Sequence, residues 1–71
     1  MSNNISIRQN IFFKSICSVY IKHKKIFSYK KLKEDEILLF PYCDIIPYQK
    51  PSVISTQELN DLFNFIIDYE Q

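Results

Sequence analysis

The chain has 71 residues, of which 46% are hydrophobic and 24% are charged, and its formal net charge is +1. This composition excludes an intrinsically disordered chain, and the length leaves space for a single domain. The sequence contains no glycine, which excludes the glycine-rich loops that cradle nucleotide phosphates. We therefore expect one small folded domain without nucleotide-dependent chemistry.

Charge is divided sharply between the two halves of the chain. Residues 1–33 carry eight basic and no acidic side chains, whereas residues 34–71 carry eight acidic side chains and Lys50 as their one base. Such asymmetry indicates either that the halves neutralise each other on folding or that the basic half binds an acidic or nucleic-acid partner. We favour neutralisation within the chain.

The apolar residues of the N-terminal segment fit two different spacings. Ile5 and Ile7 begin the alternation of a possible N-terminal strand, whereas Ile5, Phe12 and Val19 recur every seven residues as in a helix. The choice between strand and helix stays open over residues 4–14. The apolar stretch that follows is interrupted by Lys14 and lacks a cleavage site, so we expect no signal peptide, no membrane span and a cytoplasmic protein.

β-Branched and aromatic residues predict a hairpin with strands over about 16–22 and 25–31. If residues 22–25 form its turn, Tyr20 faces Phe27, and both lie opposite an apolar face that contains Val19. The resulting basic aromatic face is a candidate nucleic-acid site, where lysines would contact phosphates and rings would stack on bases. Its predicted members are Tyr20, Lys22, Lys24, Lys25, Phe27 and Tyr29.

A charged run that contains Asp35 separates this hairpin from the next element, and we interpret its acids as solvated. The continuous apolar run that follows predicts a strand over about 36–40, paired with the hairpin. Pro41, Pro47 and Pro51 then confine the chain to a turn-rich connection, because proline lacks an amide donor and restricts the residue before it.

The last segment predicts an amphipathic helix over 56–70. Ser55 and Glu58 form a capping box at its start. At 100° per residue, one stripe of the helix is apolar and the opposite side is polar. The stripe consists of Leu59, Leu62, Phe63 and Ile66. The predicted fold class is therefore α+β, a small antiparallel sheet packed against this C-terminal helix.

The margin of the helix is a candidate protein-binding surface. Phe65 lies about 120° from Leu59, so it either widens the buried stripe or stands exposed among acids. The predicted partner-binding residues are Asp61, Phe65, Asp68 and Tyr69. Because acids near a helix C-terminus are unfavourable, we also predict that a lysine of the basic half approaches Asp68 or Glu70.

Catalytic and metal-binding patterns are not apparent. His23 lies among lysines in the predicted turn, and Cys17 and Cys43 do not combine with it in a zinc-ligand spacing. We expect buried thiols, no cofactor, no metal and no enzymatic activity.

The main functional hypothesis is a small non-enzymatic protein-binding module, an inhibitor or adaptor that binds a host or cognate protein as a monomer or homodimer. Its abundance of Ile, Lys, Phe, Tyr and Asn is typical of A+T-rich genes and suggests a phage, virus or mobile element as the source. The alternative is a nucleic-acid-binding protein that uses the basic aromatic hairpin of residues 14–33.

Overall fold

The computed structural model describes residues 4–70, with the side chain of Glu70 left out. Every strand pairs antiparallel with the next one along the chain, which gives a five-stranded sheet in sequential order. The open question over residues 4–14 resolves as a strand over Ile5–Gln9 and a loop after it, and the predicted α+β class is confirmed. The elements are β1 (Ile5–Gln9), β2 (Ile16–Ile21), β3 (Lys24–Lys33), β4 (Glu36–Pro41), β5 (Ser52–Ile54) and α1 (Thr56–Glu70).

The turn of the β2–β3 hairpin is shorter than the sequence predicts. Ile21 pairs with Lys24, so only Lys22 and His23 connect the strands, with φ angles of 51° and 70°. Two-residue turns with positive φ match the right-handed twist of the strands, and here neither residue is Gly, Asn or Asp. Asp35, in the turn between β3 and β4, also has a positive φ, of 61°.

The short turn shifts the pairing by two residues, which leaves the faces unchanged, and the bulge after it turns Phe27 into the core. Tyr20 pairs with Lys25, a bulge follows, and Phe27 then lies opposite Val19 instead of Tyr20. A slip of one residue moves side chains to the other face of a strand. The predicted placement of Phe27 and Tyr29 on a basic outer face is therefore wrong, and Phe27 is 0% exposed.

One face of the sheet is covered by α1 and by the proline-rich connection. Leu62 and Ile66 of α1 are buried against the sheet, with Leu59 and Phe63 partly buried beside them, as the apolar stripe predicts. Ile46 from the connection completes the same core. Burial of each such side chain contributes roughly 1.5–3 kcal/mol, so this face supplies most of the driving force for folding.

The start of α1 is fixed by two sets of hydrogen bonds. The Ser55 amide donates to Glu58 Oε1 at 3.0 Å and the Glu58 amide donates to Ser55 Oγ at 3.1 Å, which confirms the predicted capping box. In addition, the Thr56 amide donates to Asp35 Oδ1 at 2.9 Å. Asp35, predicted to be merely solvated, thus ties the β3–β4 turn to the positive end of the helix.

Candidate binding surfaces

The most exposed apolar side chains lie together in the β1–β2 loop. Ile11 and Phe12 are each 86% exposed and Phe13 is 63% exposed. We call these three residues the apolar tip. Sequence reasoning placed them in a strand or helix and did not identify them as a site. Large apolar side chains clustered in water mark interaction sites more often than single exposed ones do.

The apolar tip is held by hydrogen bonds at its base. Asn10 Oδ1 accepts from the Phe12 amide at 2.8 Å and from the Phe13 amide at 2.9 Å. The Asn10 amide donates to the Ile16 carbonyl, and the Ile16 amide donates to the Phe13 carbonyl, both at 2.9 Å. Because the backbone is already fixed, a partner that covers the tip orders little further chain on binding.

A cleft with an acidic rim lies between α1 and the proline-rich connection. Its volume is about 310 Å³, and Phe65, 45% exposed, stands at its side. Pro47, Tyr48, Glu58, Asp61, Leu62 and Phe65 line it. The predicted partner residues Asp61 and Phe65 are thus brought together, while Asp68 and Tyr69 do not line this cleft.

Phe65 is more exposed than a core residue, so its replacement should have little effect on stability. Phe65→Ala should change the free energy of unfolding by about 1 kcal/mol or less, because little area is buried and alanine favours the helix. Urea denaturation measures the change. A loss of about 3 kcal/mol or more would mean that Phe65 belongs to the core.

Tyr69 lies instead beside the β2–β3 turn. It is 60% exposed and lines a depression with Lys22 and Lys24, so the C-terminal end of α1 neighbours the basic turn. Asp68 is exposed, and the Glu70 side chain lies outside the described residues. The approach of a lysine to one of these two carboxylates stays a prediction.

The candidate nucleic-acid residues of the hairpin are divided between the two faces of the sheet. Phe27 and Tyr29 form an aromatic cluster with Phe63 of α1, with ring centroids 5.6–6.1 Å apart. Tyr20 and Lys25 lie on the other face, opposite each other in register. The six predicted residues therefore do not form one surface.

Two tyrosines have raised pKa values. Burial raises the pKa of Tyr29, and the neighbouring Cys17 thiol adds to this through charge and a hydrogen bond. Burial also raises the pKa of Tyr48, and the carboxylates of Glu58 and Asp61 raise it further. In both cases the folded protein favours the neutral phenol.

These shifts predict alkaline destabilisation. The unfolded chain releases its tyrosine protons near pH 10 while the folded chain retains them, so the free energy of unfolding should fall as the pH rises above about 10. Urea denaturation across that range measures the fall, and Tyr29→Phe should reduce it. An unfolding free energy that stays constant through this range would contradict the prediction.

Metal-binding side chains are scattered in the part of the chain that the structure describes. Cys17 and Cys43 are both free and partly buried. Among residues 4–70, no three His, Cys, Asp or Glu side chains are grouped so as to hold a metal ion. Within that range there is also no helix long and apolar enough to cross a membrane.

Comparisons with protein-family models, with curated proteins and with solved structures found no match for this chain. The candidate surfaces are therefore defined by their own geometry and chemistry.

Proposed function

We propose that this protein is a small non-enzymatic protein-binding module, an inhibitor or adaptor that inserts its apolar tip into a pocket of a partner protein. The observation that carries the proposal is the exposure of Ile11 and Phe12, each 86%, on a loop fixed by Asn10. A side chain of this size gains roughly 1.5–3 kcal/mol when it becomes fully buried. The two together supply enough binding free energy for a central contact.

The surroundings of the apolar tip indicate the chemistry of the partner. Lys14 follows the tip directly and is exposed. A pocket that is apolar inside and acidic at its rim would cover the tip and meet this cation at the same time. The partner in this proposal is therefore a protein with an acid-rimmed apolar pocket.

The cleft beside α1 supports the same function as a second contact surface. Phe65 and Leu62 give it an apolar side, while Glu58 and Asp61 give it negative charge. This combination suits a basic segment of a partner that also carries an apolar side chain. If the cleft is used, Phe65→Ala and Asp61→Lys should weaken binding without loss of stability.

We place the protein in the cytoplasm within this proposal. Both of its cysteines are free, as is usual for proteins kept in a reducing compartment. The proposal holds for a monomer or a homodimer, because neither the tip nor the cleft requires a second copy.

The proposal is tested by affinity capture from a nuclease-treated lysate of the source organism or its host, followed by mass spectrometry. We expect one protein to be retained, and to be lost when Ile11 and Phe12 are replaced by serine. A parallel measurement uses vesicles of anionic phospholipid, because an apolar loop beside cations could also enter a bilayer surface. Retention on vesicles that depends on the tip, without a retained protein, would overturn the proposal.

A further inference from the structure

The sheet has a second face, which α1 does not cover. Alternation along the strands places the buried Val19, Phe27 and Leu39 towards α1, so their neighbours along each strand point away from it. We call this second surface the open face. It carries Arg8 from β1, Ser18 and Tyr20 from β2, Lys25, Ser28 and Lys30 from β3, and Leu38 and Phe40 from β4.

Cations and aromatic rings alternate along one row of the open face. The Arg8 guanidinium carbon lies 5.1 Å from the centroid of the Tyr20 ring. Tyr20 lies opposite Lys25 in register, and Lys25 Nζ lies 4.6 Å from the centroid of the Tyr42 ring. The row thus runs across β1, β2 and β3 to the residue after β4.

The next row of residues on the open face has short side chains at its centre. Ser18 and Ser28 face each other across β2 and β3 with their hydroxyl oxygens 2.8 Å apart, and both are buried between larger neighbours. Phe40 lies opposite Ser28 and adds a further partly exposed ring. Because these two side chains are short, the aromatic rings around them project further from the sheet.

The charge of the open face is positive. Arg8, Lys25 and Lys30 point to this side. The register also places the acid Glu36 here, but it lies at the start of β4, opposite Lys33. A partner with spaced negative charges and flat unpaired rings would match both features. Phosphates would replace the rings as partners of the cations, and bases would stack on the rings that are released.

We infer that the open face binds single-stranded nucleic acid, with Arg8, Lys25 and Lys30 on phosphates and Tyr20 and Tyr42 stacked on bases. A single strand is required because the bases of a duplex are stacked on each other and do not offer their faces. A second copy of this chain fits less well, since it would bring the same three cations against each other. This surface differs from the predicted hairpin site, with which it shares only Tyr20 and Lys25.

The test is fluorescence anisotropy of a labelled oligothymidylate of twelve nucleotides with the full chain at about 50 mM salt. Three phosphate contacts predict a slope of about −2 for the logarithm of the binding constant against the logarithm of the salt concentration. A duplex of equal length should bind at least about tenfold more weakly, because it offers no stacking.

Variants separate the open face from the rest of the basic surface. Replacing Arg8, Lys25 and Lys30 with glutamine should reduce affinity by about 30-fold or more and flatten the salt slope. The matched control replaces Lys22, Lys24 and Lys31 with glutamine, which removes the same amount of charge outside the open face. Because these lysines are not expected to contact phosphates, affinity should change less than about threefold. Tyr42→Ala should cost about tenfold while the protein stays folded, because Tyr42 is exposed.

Several results would overturn the inference. No anisotropy change with the unmutated protein would do so, as would equal affinity for duplex, or equal losses in the two triple variants. A concentration-dependent dimer that the Arg8, Lys25 and Lys30 variant strengthens would assign the open face to a second copy. The protein-binding proposal is unaffected by any of these outcomes, because it rests on the apolar tip.

Discussion

Replacing Phe27 with alanine should remove about 3–5 kcal/mol from the free energy of unfolding. Phe27 is 0% exposed, and its ring lies within 5.6 Å of Phe63 and 6.1 Å of Tyr29, centroid to centroid. A domain of this size has a total stability of roughly 4–10 kcal/mol, so much of it would be lost. The midpoint of thermal unfolding should fall by about 15 °C or more.

The matched control for this prediction is Phe65→Ala, the same substitution at a residue that is 45% exposed. Circular dichroism during heating and urea denaturation should show a large loss for Phe27 and a small change for Phe65. Equal, small effects in both variants would place Phe27 at the surface. They would then favour the longer turn over residues 22–25 and the register that it implies.

Replacing Ile11 and Phe12 together with serine should weaken partner binding by more than about 100-fold, which corresponds to roughly 3 kcal/mol. Both side chains are almost fully exposed in the free protein, so their loss should alter the free energy of unfolding by about 0.5 kcal/mol or less. The captured amount of the retained protein measures binding, and urea denaturation measures stability.

The control for the tip variant is the double replacement of Val53 and Ile67 with serine. Val53 is 59% exposed and Ile67 38% exposed, and they lie on β5 and α1, outside the β1–β2 loop. Their replacement removes exposed apolar surface at another place, although less than at the tip, and should leave capture unchanged. If the control variant loses the partner to the same extent, the binding reflects general surface hydrophobicity and not the tip.

Those parts of the fold that depend on local sequence could be predicted. The capping box of Ser55 and Glu58 defined the start of α1, and the spacing of Leu62 and Ile66 defined its buried face. The apolar run in β4 likewise indicated a strand, and it pairs with β3 as expected. In each case a short pattern is sufficient to determine the structure.

The register of the hairpin could not be predicted in the same way. It depends on positive φ angles at Lys22 and His23, which side-chain type does not signal, and on the bulge beside Phe27. The bulge, which shifts the pairing by one residue, reverses the face assigned to Phe27 and Tyr29. The predicted hairpin site therefore combines residues that the structure divides between the two faces of the sheet.

The apolar tip was missed because an apolar run is usually buried. Ile11, Phe12 and Phe13 were assigned to a strand or helix, where such residues normally pack. The available signal was Asn10 immediately before them, since asparagine commonly accepts backbone hydrogen bonds in turns. For Phe65 the sequence left two alternatives, buried or exposed. A helical wheel shows in which direction a side chain points, but it does not show how much of the helix surface the sheet and the connection cover.

The most direct test of the proposed function is site-specific photo-crosslinking with p-benzoylphenylalanine at position 12 and, as control, at position 53. Both positions are exposed, so the group can be accommodated without loss of the fold. Illumination in nuclease-treated lysate should give one protein adduct from position 12 and no corresponding adduct from position 53. The same adduct from both positions, or no adduct from position 12, would contradict binding of a partner protein through the apolar tip.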